Sequence, residues 1–157
     1  MIPYLRSGRG SGVETLQRLT RRQVDALRAV GLLSEGDAGA SLKSVATALR
    51  VRSPSALDFL TVLERNGLVA RRRGKTRLTA RGRSTLAEYQ RHHRLAESLF
   101  GQLGLSPEDT CAAAREVDLA ISHGTVERLC KAEGHPAVCP HGLAIPPCAE
   151  ERGAHHG

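Results

Sequence analysis

The chain has 157 residues, 40% of them hydrophobic and 25% charged, a composition that folds as one domain or two small ones and excludes a multidomain enzyme. Aromatic residues are 3% with no Trp, which argues against a base-stacking surface for single strands and leaves duplex nucleic acid as the polyanion to consider. The net charge of +7 is unevenly placed, because residues 1–91 hold 18 Lys+Arg against 7 Asp+Glu and residues 92–157 hold 5 against 9. One half therefore suits a polyanion and the other half does something else.

The N-terminus MIPYLRSGRGSG has no apolar leader, and no run approaches ~18 apolar residues. A cytoplasmic protein with no membrane partner is expected. Residues 1–12 read as a basic arm. Thr20 caps a first helix through LTRRQVDALRAVGLL, with Leu19, Val24, Leu27, Val30 and Leu32 near helical spacing. SEGDAGA is a loop. Ser41 caps the short helix LKSVATALRV, and a tight turn leads to SPSALDFLTVLER, with Ser53 as N-cap, Pro54 at the first helical position and Asn66-Gly67 as the stop. Two helices so joined have the pattern of a helix-turn-helix.

LVARRRGKTRLT then reads as a β-hairpin around Gly74-Lys75 with a basic tip, the wing of a winged helix. Thr79 starts a long helix, ARGRSTLAEYQRHHRLAESLFGQL. Ser106-Pro107 opens another reaching about Ile121, and Thr125 to Glu133 forms a last short one. The expected architecture is mostly α: a winged helix-turn-helix over residues 13–91, an all-helical domain over 92–146, and a tail over 147–157. In this arrangement Ser53, Ser55 and Ala56 face the major groove, Ala56 toward a thymine methyl. Lys43, Arg50, Arg52, Arg71, Arg72, Arg73, Lys75 and Arg77 neutralise phosphates of double-stranded DNA. Of the basic residues 20 are Arg, whose planar fork suits phosphate and guanine.

SLKSVATALRVRSPSALDFLTVLERNGLV, LTARGR, RHHRLAESLFGQLGL and GHPAVCPHGLAIP, in that order, resemble the diphtheria toxin repressor and manganese transport regulator family of metal-dependent transcriptional repressors. The resemblance covers residues 20–146, with RHHRLAE and CPHGLAIP its specific pieces. It implies a homodimer that binds a palindromic operator when loaded with manganese or iron(II), with residues 92–146 as the all-helical dimerisation and metal-binding domain and without the SH3-like third domain of some members. It also implies metal ligands. Asp25, His93, Glu97 and Asp118 match ligand positions, and His93 and Glu97, one turn apart, share a helix face. Arg22, Arg115 and Leu119 stand where ligands are expected, and Arg22 and Arg115 can instead occupy the cation's place as fixed ion pairs. Cys111 shares a face with Arg115 and Asp118 as a soft alternative, and His92 is expected to face solvent.

The spacing His135-x3-Cys139-x-His141-x6-Cys148 marks a second candidate cluster of zinc or redox type, set against a purely structural turn. Two further readings stay open: the same scaffold without metal input, and a small metal-sequestering or redox-sensing protein built on these cysteines and histidines. Cys139 and His141, the closest nucleophile–base pair, are separated by a proline, and no phosphate loop, H-E-x-x-H or G-x-S-x-G is present. No catalysis is expected.

Overall fold

The structure, a computed structural model, describes residues 12–34 and 38–148. The expected basic arm before Gly12 and the end of the tail after Cys148 lie outside the described residues. The helices are α1 (Gly12–Leu16), α2 (Arg21–Leu33), α3 (Leu42–Leu49), α4 (Ser53–Arg65), α5 (Ala80–Gln102), α6 (Pro107–Val117) and α7 (His123–Ala132), and the strands are β1 (Ala40–Ser41), β2 (Val69–Arg72) and β3 (Lys75–Leu78). Short β1 and α1 are additions to the elements read from the sequence.

The boundaries follow local chemistry. Thr20 and Ser41 close capping boxes with Gln23 and Ser44, each satisfying two backbone donors that the helix leaves open. α4 begins one residue earlier than expected: Arg52 is its N-cap, without a side-chain bond, and Pro54 falls in the first turn, where its missing N–H costs nothing. Gly67, at φ 70°, turns the chain out of α4 in the left-handed region that lacks a steric penalty only for glycine. The hairpin turn is Arg73-Gly74, one residue before the expected tip, with φ of 48° and 73°. β3 lies between β1 and β2, both antiparallel to it.

Two apolar clusters divide the molecule. The first packs Val24, Leu27 and Val30 of α2 with Val45, Leu49, Leu60, Leu63 and Leu68, and reaches Tyr89 on α5. The second joins Leu95, Val126, Cys130, Cys139, Ile145 and Cys148. Helix α5 runs through both, and its first turn rests on the end of the α4 connection. A Cβ on Gly82 would stand 1.9 Å from the Leu68 carbonyl oxygen, so only glycine permits that approach. This contact seats the start of α5 on the α4–β2 connection, and the same helix contributes Leu95 to the second cluster.

Candidate metal centre and nucleic-acid interface

The basic surface is built by strand alternation. Cross-strand pairing of Ala70 with Arg77 and of Arg72 with Lys75 puts Arg72, Lys75 and Arg77 on one hairpin face, and these residues, with Arg73, line a shallow groove. Val69, Thr76 and Leu78 point the other way, toward the protein. Arg71 is drawn to Glu64 at 3.7 Å. Lys43, Arg50, Arg52 and Ser53 are exposed and Ser55 is half-buried around the turn between α3 and α4. Ala56 corrects the expected set: it is fully buried against the first cluster, so its methyl is spent on packing and does not reach a groove.

Asp25 and Asp118, expected to share an ion with His93 and Glu97, are held by guanidinium groups. Helix α2 presents Arg21 and Asp25 at i, i+4, and α6 with its C-cap presents Arg115 and Asp118 at i, i+3, so each side offers one cation and one anion to the other. Arg21 meets Asp118 through Nη2 at 2.5 Å and Nη1 at 3.3 Å, and Arg115 meets Asp25 through two bonds of 3.1 and 3.2 Å. Arg21 Nη2 also donates to the Arg115 carbonyl at 2.5 Å. The cation in this place is Arg21 and not Arg22. The two are adjacent in sequence, but α2 turns by about 100° per residue, which aims Arg21 at Asp118 and leaves Arg22 exposed.

Asp118 is fully buried and Glu116 is exposed, so the carboxylate used is the one matched from the resemblance. Asp118 also accepts from Tyr89 Oη at 3.0 Å and pairs with His93 Nδ1 at 2.9 Å. Burial raises the Asp118 pKa, but the bonds from His93 and Arg21 outweigh it and the net direction is down. The Tyr89 hydroxyl moves the other way, pushed up to about 12 by burial and the Asp118 charge.

The far side of His93 opens on a second carboxylate. Nε2 lies 3.1 Å from Glu97 Oε1 and 3.6 Å from Cys111 Sγ. Glu97 Oε1 also meets His141 Nδ1 at 3.3 Å, and Glu97 belongs to two donor triads, one with His93 and Cys111 and one with Cys139 and His141. Glu97 is 3% exposed and its Oε2 is buried without a hydrogen-bond partner among the described residues. A buried carboxylate oxygen with no donor is costly unless a cation or donor completes it. With Asp118 at Nδ1, Nε2 is the ring nitrogen that would face an ion beside Glu97 and Cys111. Burial and the neighbouring Glu97 carboxylate push the thiols of Cys111 and Cys139 up. The residues present fit a divalent ion at Glu97; the Asp25–Asp118 end, filled by two guanidiniums, does not.

The expected cluster of His135, Cys139, His141 and Cys148 is divided. Cys139 and His141 go to Glu97, whereas His135 and Cys148 go to Cys130, a residue the spacing did not single out. His92 is also corrected: it is buried, pairing with Glu88 Oε1 at 3.2 Å, where His123 arrives at 2.7 Å. The burial of Glu88 raises its pKa, but these histidine bonds overrule it and draw the carboxyl down to about 2. Arg91, fully buried beside it, pairs with Glu127.

Residues 79–147 match the family described as iron dependent repressor, metal binding and dimerisation domain. The solved structure of the hypothetical protein SSo2273 from Sulfolobus solfataricus is similar, with a TM-score of 0.76 and 26% identity over 82% of this chain and 99% of that one. The manganese regulator SloR matches with a TM-score of 0.69 and 31% identity over 82% of this chain and 60% of its own. ScaR with bound Zn2+ matches at 0.72 and 27% identity, covering 79% of this chain and 59% of its own. No curated protein matches the chain by sequence. Over residues 79–147 the chain is thus similar to the metal-binding and dimerisation domain of iron dependent repressors, and its structural neighbours include metal-dependent transcriptional regulators, which are not enzymes. It spans about 60% of the length of SloR and ScaR. Among the described residues no helix is long and apolar enough to cross a membrane.

Proposed function

We propose that this protein is a dimeric winged-helix repressor of transcription whose affinity for duplex DNA is set by a divalent transition-metal ion at Glu97. The observation that carries the reading is the buried, unpartnered Glu97 Oε2, ringed by His93, Cys111, Cys139 and His141. Asp118 acts here by orienting His93 rather than as a ligand, and Asp25 holds Arg115. Each triad pairs Glu97 with one imidazole and one sulfur, a donor set that favours iron(II) or zinc over manganese. His93 and Glu97 on α5, Cys111 on α6, and Cys139 and His141 beyond α7 belong to three parts of the chain, so an ion there stabilises one arrangement of α5, and Gly82 passes that arrangement to the helix-turn-helix. Linkage then requires that the ion tighten DNA binding by as much as DNA tightens ion binding. The DNA contacts are assigned to Arg50, Arg52, Ser53, Ser55 and the hairpin cations, and dimerisation to the helices after Arg91, as in the matched family.

The test is fluorescence anisotropy of the full chain with its own upstream DNA at two salt concentrations, first with chelator and then with iron(II), zinc or manganese restored. Binding that falls steeply with salt and rises with metal in the native chain, but does not rise with metal in Glu97→Gln, supports the reading. A salt slope near zero defeats any regulator reading, since phosphate neutralisation must release counterions. One observation favours a second reading: the Arg21–Asp118 and Arg115–Asp25 pairs already tie α2 to α6 without an ion. DNA binding that is unchanged by chelator would assign the protein to that metal-independent form.

A further inference from the structure

Apart from Glu97, the end of the second cluster holds another set of soft donors. Cys130 lies in the last turn of α7, His135 just past the helix end, and Cys148 at the far end of the loop that follows. The sulfurs of Cys130 and Cys148 each lie 3.5 Å from His135 Nδ1, and all three ligand atoms fall within 4.8 Å of one another. Both cysteines are buried, at 2% and 1% exposure.

The backbone is shaped for this meeting. Gly134 and His135 take φ of 73° and 56°, and the His135 N–H donates to the Cys130 carbonyl at 2.8 Å. A non-glycine residue in the left-handed region is uncommon and carries strain; here it folds the imidazole back over Cys130. The loop returns through the Val138–Ala144 bridge and the Ile145 N–H bond to the Ala137 carbonyl at 2.8 Å, which brings Cys148 to the same point.

Two of the three edges have the length that a tetrahedral ion requires. Zinc bonds of about 2.3 Å to sulfur and about 2.0–2.1 Å to nitrogen set a sulfur–nitrogen edge of roughly 3.6 Å, beside the 3.5 Å found twice. Burial pushes the Cys130 thiol up in the absence of an ion, and a second observation shows what a ligated sulfur would find beside it. Arg91 is 1% exposed, lies against the Cys130 thiol, and has Nε and Nη2 without an acceptor among the described residues. Ionised sulfur would supply the acceptor.

We propose that Cys130, His135 and Cys148 form a zinc site distinct from the Glu97 centre. Two thiolates balance the dication, ligation releases the two thiol protons, and water takes the fourth tetrahedral position. The ion staples the loop of residues 136–147 to α7, and that loop carries Cys139 and His141. The proposal does not rest on the regulatory reading of Glu97.

Cobalt(II) titration of the reduced full chain tests it, because thiolate ligation adds near-ultraviolet charge-transfer absorption in proportion to the sulfurs bound. In Glu97→Gln, which disables both triads at Glu97, one cobalt per chain with two-thiolate intensity is expected, displaced by zinc and lost on adding Cys148→Ser or His135→Asn. No cobalt uptake in Glu97→Gln overturns the proposal, as does a band that survives Cys148→Ser. Should Cys148→Ser fail to fold, zinc-dependent protection of Cys130 and Cys148 from alkylation in the Glu97→Gln chain, read by peptide mass spectrometry, decides. Equal labelling with zinc and with chelator overturns it, and so does a Cys130–Cys148 disulfide that forms in air at a rate zinc does not slow.

Discussion

His93 stands between two carboxylates that the protein treats in opposite ways. On its Nδ1 side, Asp118 is saturated by Arg21, Tyr89 and the imidazole itself. On its Nε2 side, Glu97 keeps one buried oxygen unpartnered and collects thiols and a second imidazole. Both carboxylates are buried, so burial alone does not make an ion site. What differs is the neutralising partner: a guanidinium is a permanent cation with a fixed fork, whereas histidine and cysteine can give up protons and accept a metal.

The largest effect on this contrast is expected from Arg21→Ala. It strips the bidentate partner from a fully buried carboxylate, and the loss in urea unfolding should be on the order of 3 kcal/mol. A loss below about 1 kcal/mol would show that Tyr89 and His93 suffice to hold Asp118. Next is the pH response of Glu88. Its folded pKa of about 2 lies below the ordinary 4.5, so the stability it contributes is complete above about pH 4.5 and is lost as pH falls through about 2, with a ceiling of about 3 kcal/mol. Glu88→Gln should flatten the acid limb of stability over that window; a limb identical to that of the native chain would remove Glu88 as its cause.

Smaller effects sharpen the comparison. Arg115→Met breaks a pair with a partly exposed guanidinium and should cost about 1 kcal/mol or less by thermal unfolding, less again in high salt. A loss as large as that of Arg21→Ala would mean that the two cross-links act as one unit. Arg72→Ala, on the hairpin, should leave stability unchanged and lower the salt slope of DNA binding by about one counterion. An unchanged slope would move the DNA contact away from the wing.

Much of the scaffold was legible along the chain because its signals are local. Thr20, Ser41, Thr79 and Ser106 act as the caps expected of them, each satisfying a nearby backbone N–H. The alternation in the hairpin and the i, i+4 spacing of His93 and Glu97 place side chains on one face whatever surrounds them.

The rest depended on what the fold brings together. His135, Cys139, His141 and Cys148 lie within 14 residues and read as one cluster, yet the turn at His135 and the Val138–Ala144 bridge send them to two centres. Cys111 is recruited to His93 and Glu97 across two helices, and Cys130 meets Cys148 only because the loop after α7 returns to it. Nothing in the local pattern distinguishes buried His92 from half-buried His93, because that difference is made by α6 and α7 packing on α5. By itself the sequence determined the helices, the hairpin, the charge asymmetry and the supply of ligand-type side chains, since these follow from nearest-neighbour geometry. Only the tertiary structure decided which carboxylate is sealed by arginine and which is left open, because burial and pairing are properties of the whole packed chain.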